Sequence, residues 1–238
     1  ELSNKSDGDS YYLLREFCDD PESDADLLGT VYQRLSGTKE KFSWIGPTWK
    51  QRVLKNPNFP EAMLESIYGS KDKDVKVGLI TNPNTDAKQL SKYLKSKDSS
   101  LIGAFAEREH LTDAMVDAII NFKGTDNPQA SLAENTIDIK ILSRLADQVD
   151  SDWVKERVVQ NKHCTEEIIS SLSKQKIERN GLKEAIAKNS KTNFDALHRI
   201  LKSSQNSTVL ANVMLNENFP VNEAEKIISL GENSYSVE

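Results

Sequence analysis

A short pattern returns eight times along this chain, and a fixed period restricts the available folds more than any other property of the sequence. Taking Asn56 in Leu-Lys-Asn-Pro-Asn-Phe-Pro as an anchor, equivalent positions fall at Asn82, Arg108, Asn135, Asn161, Asn189 and Asn216, spaced by 26, 26, 27, 26, 28 and 27 residues. Such a period marks a solenoid, in which each repeat is one supersecondary unit that buries its apolar face only by stacking on its neighbours. Three residues before each anchor stand Val53, Leu79, Phe105, Leu132, Val158, Ile186 and Val213, and seven before stand Trp49, Val75, Leu101, Pro128, Val154, Leu182 and Val209. Offsets of three and four share one face of a helix, so this segment predicts a short first helix with an inward stripe.

After the anchor, apolar residues resume at plus eight (Leu64, Leu90, Val116, Ile169, Leu197, Ala224) and plus eleven (Ile67, Tyr93, Ile119, Leu172, Ile200, Ile227), which predicts a second helix. The Asn135 repeat departs from this register, its pair being Leu142 and Leu145, so a turn shortened by one residue is expected at 136–138. Between the helices stand breakers such as Asn-Pro-Asn-Phe-Pro at 56–60 and Asn-Pro-Asn-Thr-Asp at 82–86. Asn tolerates the left-handed conformation that closes a helix, and a following Pro cannot continue it. Thr85 or Asp86 is placed to cap the next helix, with Gln89 completing a capping box from Asp86. The recurring Asn side chain is expected to satisfy backbone groups of its turn.

An eighth copy, anchored on Asp20, carries Leu13, Phe17, Leu28 and Val31 in the four apolar columns. Its distance to Asn56 is 36 residues, so an insertion is expected at 36–47, containing Phe42, Trp44 and Ile45. The expected organisation is an N-terminal capping repeat over 1–47, continuous repeats of the same single domain over 48–230, and a polar tail over 231–238. The fold class expected is all-α, a right-handed α-solenoid of about eight two-helix repeats.

The period and the turn Asn82-Pro83-Asn84-Thr85 resemble the variant leucine-rich repeat family and, more loosely, HEAT-type repeats, over roughly residues 9–230. That family pairs a short 3₁₀-like helix with an α-helix in a unit usually a little shorter than 26 residues, so here the first helix is expected to be a true α-helix. Some members carry a cysteine-rich iron–sulfur segment, whereas this chain has only Cys18 and Cys164. The resemblance implies a binding scaffold and brings no catalytic residues with it.

Net charge of −6 argues against a general binder of nucleic acid or membranes. Residues 1–47 hold five basic and ten acidic side chains, against twelve and eleven in 48–126, so an anion-binding surface would have to be a stripe on a neutral body. Two distant cysteines give no disulfide framework, and no apolar run approaches transmembrane length; a reducing, cytoplasmic setting without a membrane partner is expected.

The column six residues before the anchor holds Lys50, Lys76, Lys155 and Lys183, interrupted by Ile102, Gln129 and Leu210. Arg52 and Arg157 recur two positions later. Cations would thus be presented about one helix-packing distance apart, on the order of 10 Å. With Trp44 from the insertion, these residues form the expected partner-binding set. The partner expected is another protein, with an acidic one the natural match; the second expectation is nucleic acid, with the lysines on its phosphates. The opposing reading is a solvated helix face balanced by Glu156 and Glu184. His110 and His163 share a turn position two repeats apart, on the order of 20 Å, too far for one metal ion. Cys164 beside His163 lacks an orienting third residue, so no catalytic or metal site and no cofactor is expected. The function expected is a non-enzymatic interaction scaffold or adaptor.

Overall fold

The periodic apolar columns become paired helices. The computed structural model describes residues 7–36 and 48–225, with side chains from Tyr12 on, Leu35 excepted. The expected insertion, with Phe42, Trp44 and Ile45, and the tail at 231–238 lie outside the described residues, Ser36 excepted. Every regular element among the described residues is a helix, and the chain falls into two compact units, 1–124 and 125–238.

In the first unit, helices α1 (Asp7–Asp19), α3 (Trp49–Lys55), α5 (Lys73–Thr81) and α7 (Ser99–Phe105) precede the anchors, while α2 (Ala25–Ser36), α4 (Glu61–Ile67), α6 (Ala87–Ser91) and α8 (Asp113–Ile120) follow them. Helix α3 packs on α1 and α5, and α5 on α7, so the pre-anchor helices form a row. In the second unit the pre-anchor helices α9 (Asn127–Asn135), α11 (Asp152–Gln160), α13 (Asn180–Lys188) and α15 (Ser207–Leu215) form one row, and α10 (Ile139–Gln148), α12 (Glu166–Ser173) and α14 (Phe194–Ser203) another. Contacts between adjacent and next-but-one helices are those of a helical repeat. The pre-anchor helices are α-helical, as the longer period suggests.

Most columns read from the sequence are the core. Val53, Leu79, Phe105, Val158, Ile186 and Val213 are fully buried, as are Leu64, Ile169 and Leu197 in the opposing column. Burial of each contributes about 1.5–3 kcal/mol, which short helices could not supply from their own hydrogen bonds. Local chemistry sets their starts. Asp72, Asp86, Thr112, Thr165, Asn193 and Asn206 each accept hydrogen bonds from the first-turn N–H groups of the helix they precede. A reciprocal capping box forms, but between Thr48 and Gln51.

Two expectations need correction. The anchor asparagines do not adopt the left-handed conformation: Asn56, Asn82, Asn161, Asn189 and Asn216 have φ of −60, −69, −66, −73 and −69° with extended ψ. What asparagine supplies is its side-chain amide. In the irregular repeat, Thr136 rather than Asn135 ends the helix and is buried, whereas Asn135 is exposed. Asp138 caps α10 two residues after Thr136, while Asp86 and Thr165 cap four residues after their anchors, so that turn is shortened by two.

The rows pack tightly enough to restrict side-chain size. A Cβ added to Gly78 on α5 would lie 2.6 Å from the Leu54 Cβ on α3, an atom too near the backbone to move aside. Gly78→Ala should lower stability by about 1–2 kcal/mol, since overpacking costs about 1–3 kcal/mol and the helix propensity of alanine offsets up to about 1. Gly69→Ala, with nothing within 4 Å of its Cβ, is the control in urea-unfolding measurements. An unchanged midpoint for Gly78→Ala would mean that α3 and α5 separate freely.

Candidate functional site

The recurring asparagines form rungs between repeats. Asn56 Nδ2 donates to the carbonyls of Cys18 and Asp20 at 3.0 and 2.7 Å, and Asn82 Nδ2 to those of Leu54 and Asn56 at 2.5 and 3.0 Å. In the second unit Asn161 reaches Ala133 and Thr136, Asn189 reaches Val159, and Asn216 reaches Ala187 and Asn189. Each Oδ1 meanwhile accepts the N–H two residues on, at Asn58, Asn84, His163, Lys191 and Asn218. One side chain thus closes its own turn and holds the preceding one.

A second tier lies two residues further. Asn58, Asn84 and Asn218 donate to turn carbonyls of the preceding repeat, and Lys191 Nζ does the same to Lys162 and Cys164 at 3.0 and 2.7 Å. Arg108 replaces asparagine yet fills the rung, its Nη1 donating to Ile80 and Asn82 and its Nη2 to Pro83. Burial pushes the Arg108 pKa down. These roles for Arg108 and Lys191 are not evident from residue type, though both positions are fixed by the period.

The lysine column does not form an open cationic stripe. Lys155 and Lys183 are each only 8% exposed; Lys183 Nζ donates to the Ser203 carbonyl at 2.6 Å, and Lys155 lines a cleft with Asp150 and Asp152. Lys50 pairs with Asp72 at 2.7 Å, Arg52 with Asp19 at 2.7 Å, and Arg157 with Glu134 at 3.3 Å while lying over the Trp153 ring. Lys76 is half-buried. The heads of Lys50, Arg52, Arg157 and Lys183 are taken by acceptors of neighbouring segments, and solvent exposure was the wrong expectation for Lys155 and Lys183, both of which are buried. Trp44, the last of the expected set, lies outside the described residues. The acids that meet Lys50, Arg52 and Arg157 come from other repeats, at Asp72, Asp19 and Glu134, and only spatial proximity selects them, whereas Glu156 and Glu184 pair with Arg179 and Lys188 at 3.9 and 3.7 Å.

The Lys50–Asp72 pair joins α3 to the cap of α5. Burial opposes ionisation of Asp72, but the hydrogen bonds from Lys50 and from the Asp74 N–H outweigh it and hold the carboxyl below its ordinary 3.8. The hydrogen bond from Lys50 to Asp72 raises the lysine above 10.5. The contribution of the pair is therefore present between these limits, fading as pH falls through the depressed carboxyl value or rises through the elevated lysine one.

A groove of about 390 Å³ in the first unit is lined by Cys18, Arg52, Lys55, Val77, Thr81 and Glu107 among others. Its cations are matched, Arg52 by Asp19 and Lys55 by Glu107 at 2.9 Å. Burial is the main cause that pushes the Cys18 thiol up to about 12 and the Cys164 thiol up to about 11, so both are protonated and poor nucleophiles at neutral pH. Cys164 and His163 are not joined by any hydrogen bond; the His163 N–H is held by Asn161. No helix among the described residues is long and apolar enough to cross a membrane. A scan against protein-family models matches none, and comparison with curated proteins and with solved structures likewise finds no match.

Rung and non-rung asparagines should respond differently to truncation. Asn82→Ala leaves the Leu54 carbonyl without its donor, while the Asn56 carbonyl still accepts the Phe59 N–H, and should cost about 1–3 kcal/mol, the cost of one unsatisfied buried group. Asn135→Ala, which loses one bond to Ser131 at an exposed site, should stay within about 0.5 kcal/mol. Equal losses in denaturant titrations would remove the distinction between Thr136 and Asn135. Separately, neither Cys18 nor Cys164 should react with a thiol reagent at pH 7 until the chain unfolds; rapid labelling of the native chain would contradict their burial.

Proposed function

We propose that this chain is a non-enzymatic scaffold or adaptor that binds a protein partner, built as a right-handed α-solenoid of about eight repeats similar to variant leucine-rich and HEAT-like repeats and working in the cytoplasm. The observation that carries the reading is the rung: the buried polar side chains at the anchors serve to fix one repeat on the next. A framework fixed internally in this way leaves its exposed positions free to vary, which suits recognition of another macromolecule.

Between a protein and a nucleic acid, the state of the cations favours protein. Phosphate binding draws on exposed, unpaired lysines and arginines. Here Lys50, Arg52 and Arg157 are engaged by carboxylates, and Lys155 and Lys183 are buried. Breaking those pairs would be required before phosphates could replace them.

The test is capture of the tagged full chain from its own cell extract with and without nuclease, followed by rebinding of the purified partner. A stoichiometric protein should survive nuclease, and its affinity should fall less than about tenfold between 50 and 200 mM salt. Loss of the partner on nuclease treatment, or a fall of about 10³–10⁵ across that range, would replace the protein partner with nucleic acid.

A further inference from the structure

The N-terminal end of the first unit combines exposed apolar side chains with a modified rung. Seven residues before the anchor, Trp49, Val75, Leu101, Val154, Leu182 and Val209 are at most 8% exposed, whereas Leu13 in the same column is 46% exposed. Leu27 on α2 is 49% exposed. Its counterpart in the next repeat, Met63, packs onto the preceding repeat, its Sδ 2.8 Å from where a Cβ on Gly29 would stand. Leu13 and Leu27 therefore occupy positions that a neighbour covers elsewhere in the fold, and among the described residues they lack that cover.

The turn at this end keeps the rung geometry but inverts its polarity. Asp20 accepts the Glu22 N–H through Oδ1 at 2.9 Å, as Asn56 accepts the Asn58 N–H, and its carbonyl accepts the Ser23 N–H as that of Asn56 accepts the Phe59 N–H. Its second carboxylate oxygen thus stands where each asparagine places its donating amide. A turn offering carbonyls, as every internal rung requires, would meet repulsion here. A group offering N–H donors or positive charge would be attracted.

The surrounding charge has the same sign. Residues 7–36 hold eight acidic and two basic side chains, a balance of −6 that equals the net charge of the entire chain. Glu16, Glu22 and Asp26 are exposed, and Arg15 is engaged with Asp19.

We propose that this end face, on α1 and α2, docks an amphipathic segment of a partner protein that carries lysine or arginine, with apolar side chains against Leu13 and Leu27 and a cation on Asp20. The proposal rests on the scaffold reading and deepens it by naming the face and the chemistry of the partner. It reverses the sign expected from the lysine column.

The probes are two helical peptides of one length and pattern, one of leucine and lysine, the other of leucine and glutamate, titrated against the full chain by fluorescence anisotropy. The leucine–lysine peptide should bind, the glutamate peptide should not, and Leu13→Ser with Leu27→Ser should weaken binding at least tenfold. Asp20→Asn should weaken it several-fold, while Asp195→Asn in the second unit leaves it unchanged. Unfolding midpoints establish that the variants remain folded. Equal binding by both peptides, or unchanged binding by the serine variant, overturns the proposal, as does sedimentation showing that a second copy covers the face. If the captured partner binds the serine variant as tightly as the wild type, this face is wrong and the scaffold reading stands; if no protein partner exists, the scaffold reading fails whatever the peptides do.

Discussion

One side chain, repeated, holds this fold together. A helix that stops leaves carbonyls without partners, and a turn that follows leaves an N–H without one; buried, each such group costs about 1–3 kcal/mol. Asparagine has a donor and an acceptor on one planar group. At Asn56 and Asn82 the acceptor closes the turn and the two amide hydrogens reach carbonyls one repeat away. Local turn and long-range stacking therefore form together, and each repeat is unfinished without its predecessor.

The substitutions within this series show what the position demands. Arg108 succeeds because a guanidinium also offers several planar donors, and it reaches one carbonyl further than asparagine. Thr136 has a single hydroxyl, which accepts the Asp138 N–H of its own short turn. Asp20 keeps the acceptor and loses the donor. The same logic governs Lys50 and Lys183 of the pre-anchor helices: their heads meet a carboxylate and a carbonyl supplied by another segment, so they belong to the framework as much as to the surface.

Much of the fold was legible because helix packing writes itself into residue order. Columns at minus three and plus eight are apolar because stacking buries them in most repeats, and Leu79, Phe105, Leu64 and Ile169 are buried accordingly. The irregular repeat was read one residue off because Asn135 offered the expected residue type beside a threonine that holds the structural position. The candidate site was less legible. Side-chain charge implies exposure on average, but a lysine stem is as long and apolar as a core residue, and whether its head meets solvent depends on what the adjacent repeat places there.

By itself the sequence determined the period, the alternation of two helices with a polar turn, the identity of most of the core, and the acidity of the N-terminal repeat, because these depend on residue spacing and composition. Tertiary structure decided which groups meet across that period: that the asparagines donate backwards to a preceding turn, that Lys50 finds Asp72 and Arg52 finds Asp19, and that Leu13 stays exposed where its counterparts are covered. Such pairings join residues 22 to 38 positions apart, and a one-dimensional pattern states that two columns repeat without stating the distance between them. That distance is set by packing, down to the absence of a Cβ at Gly78.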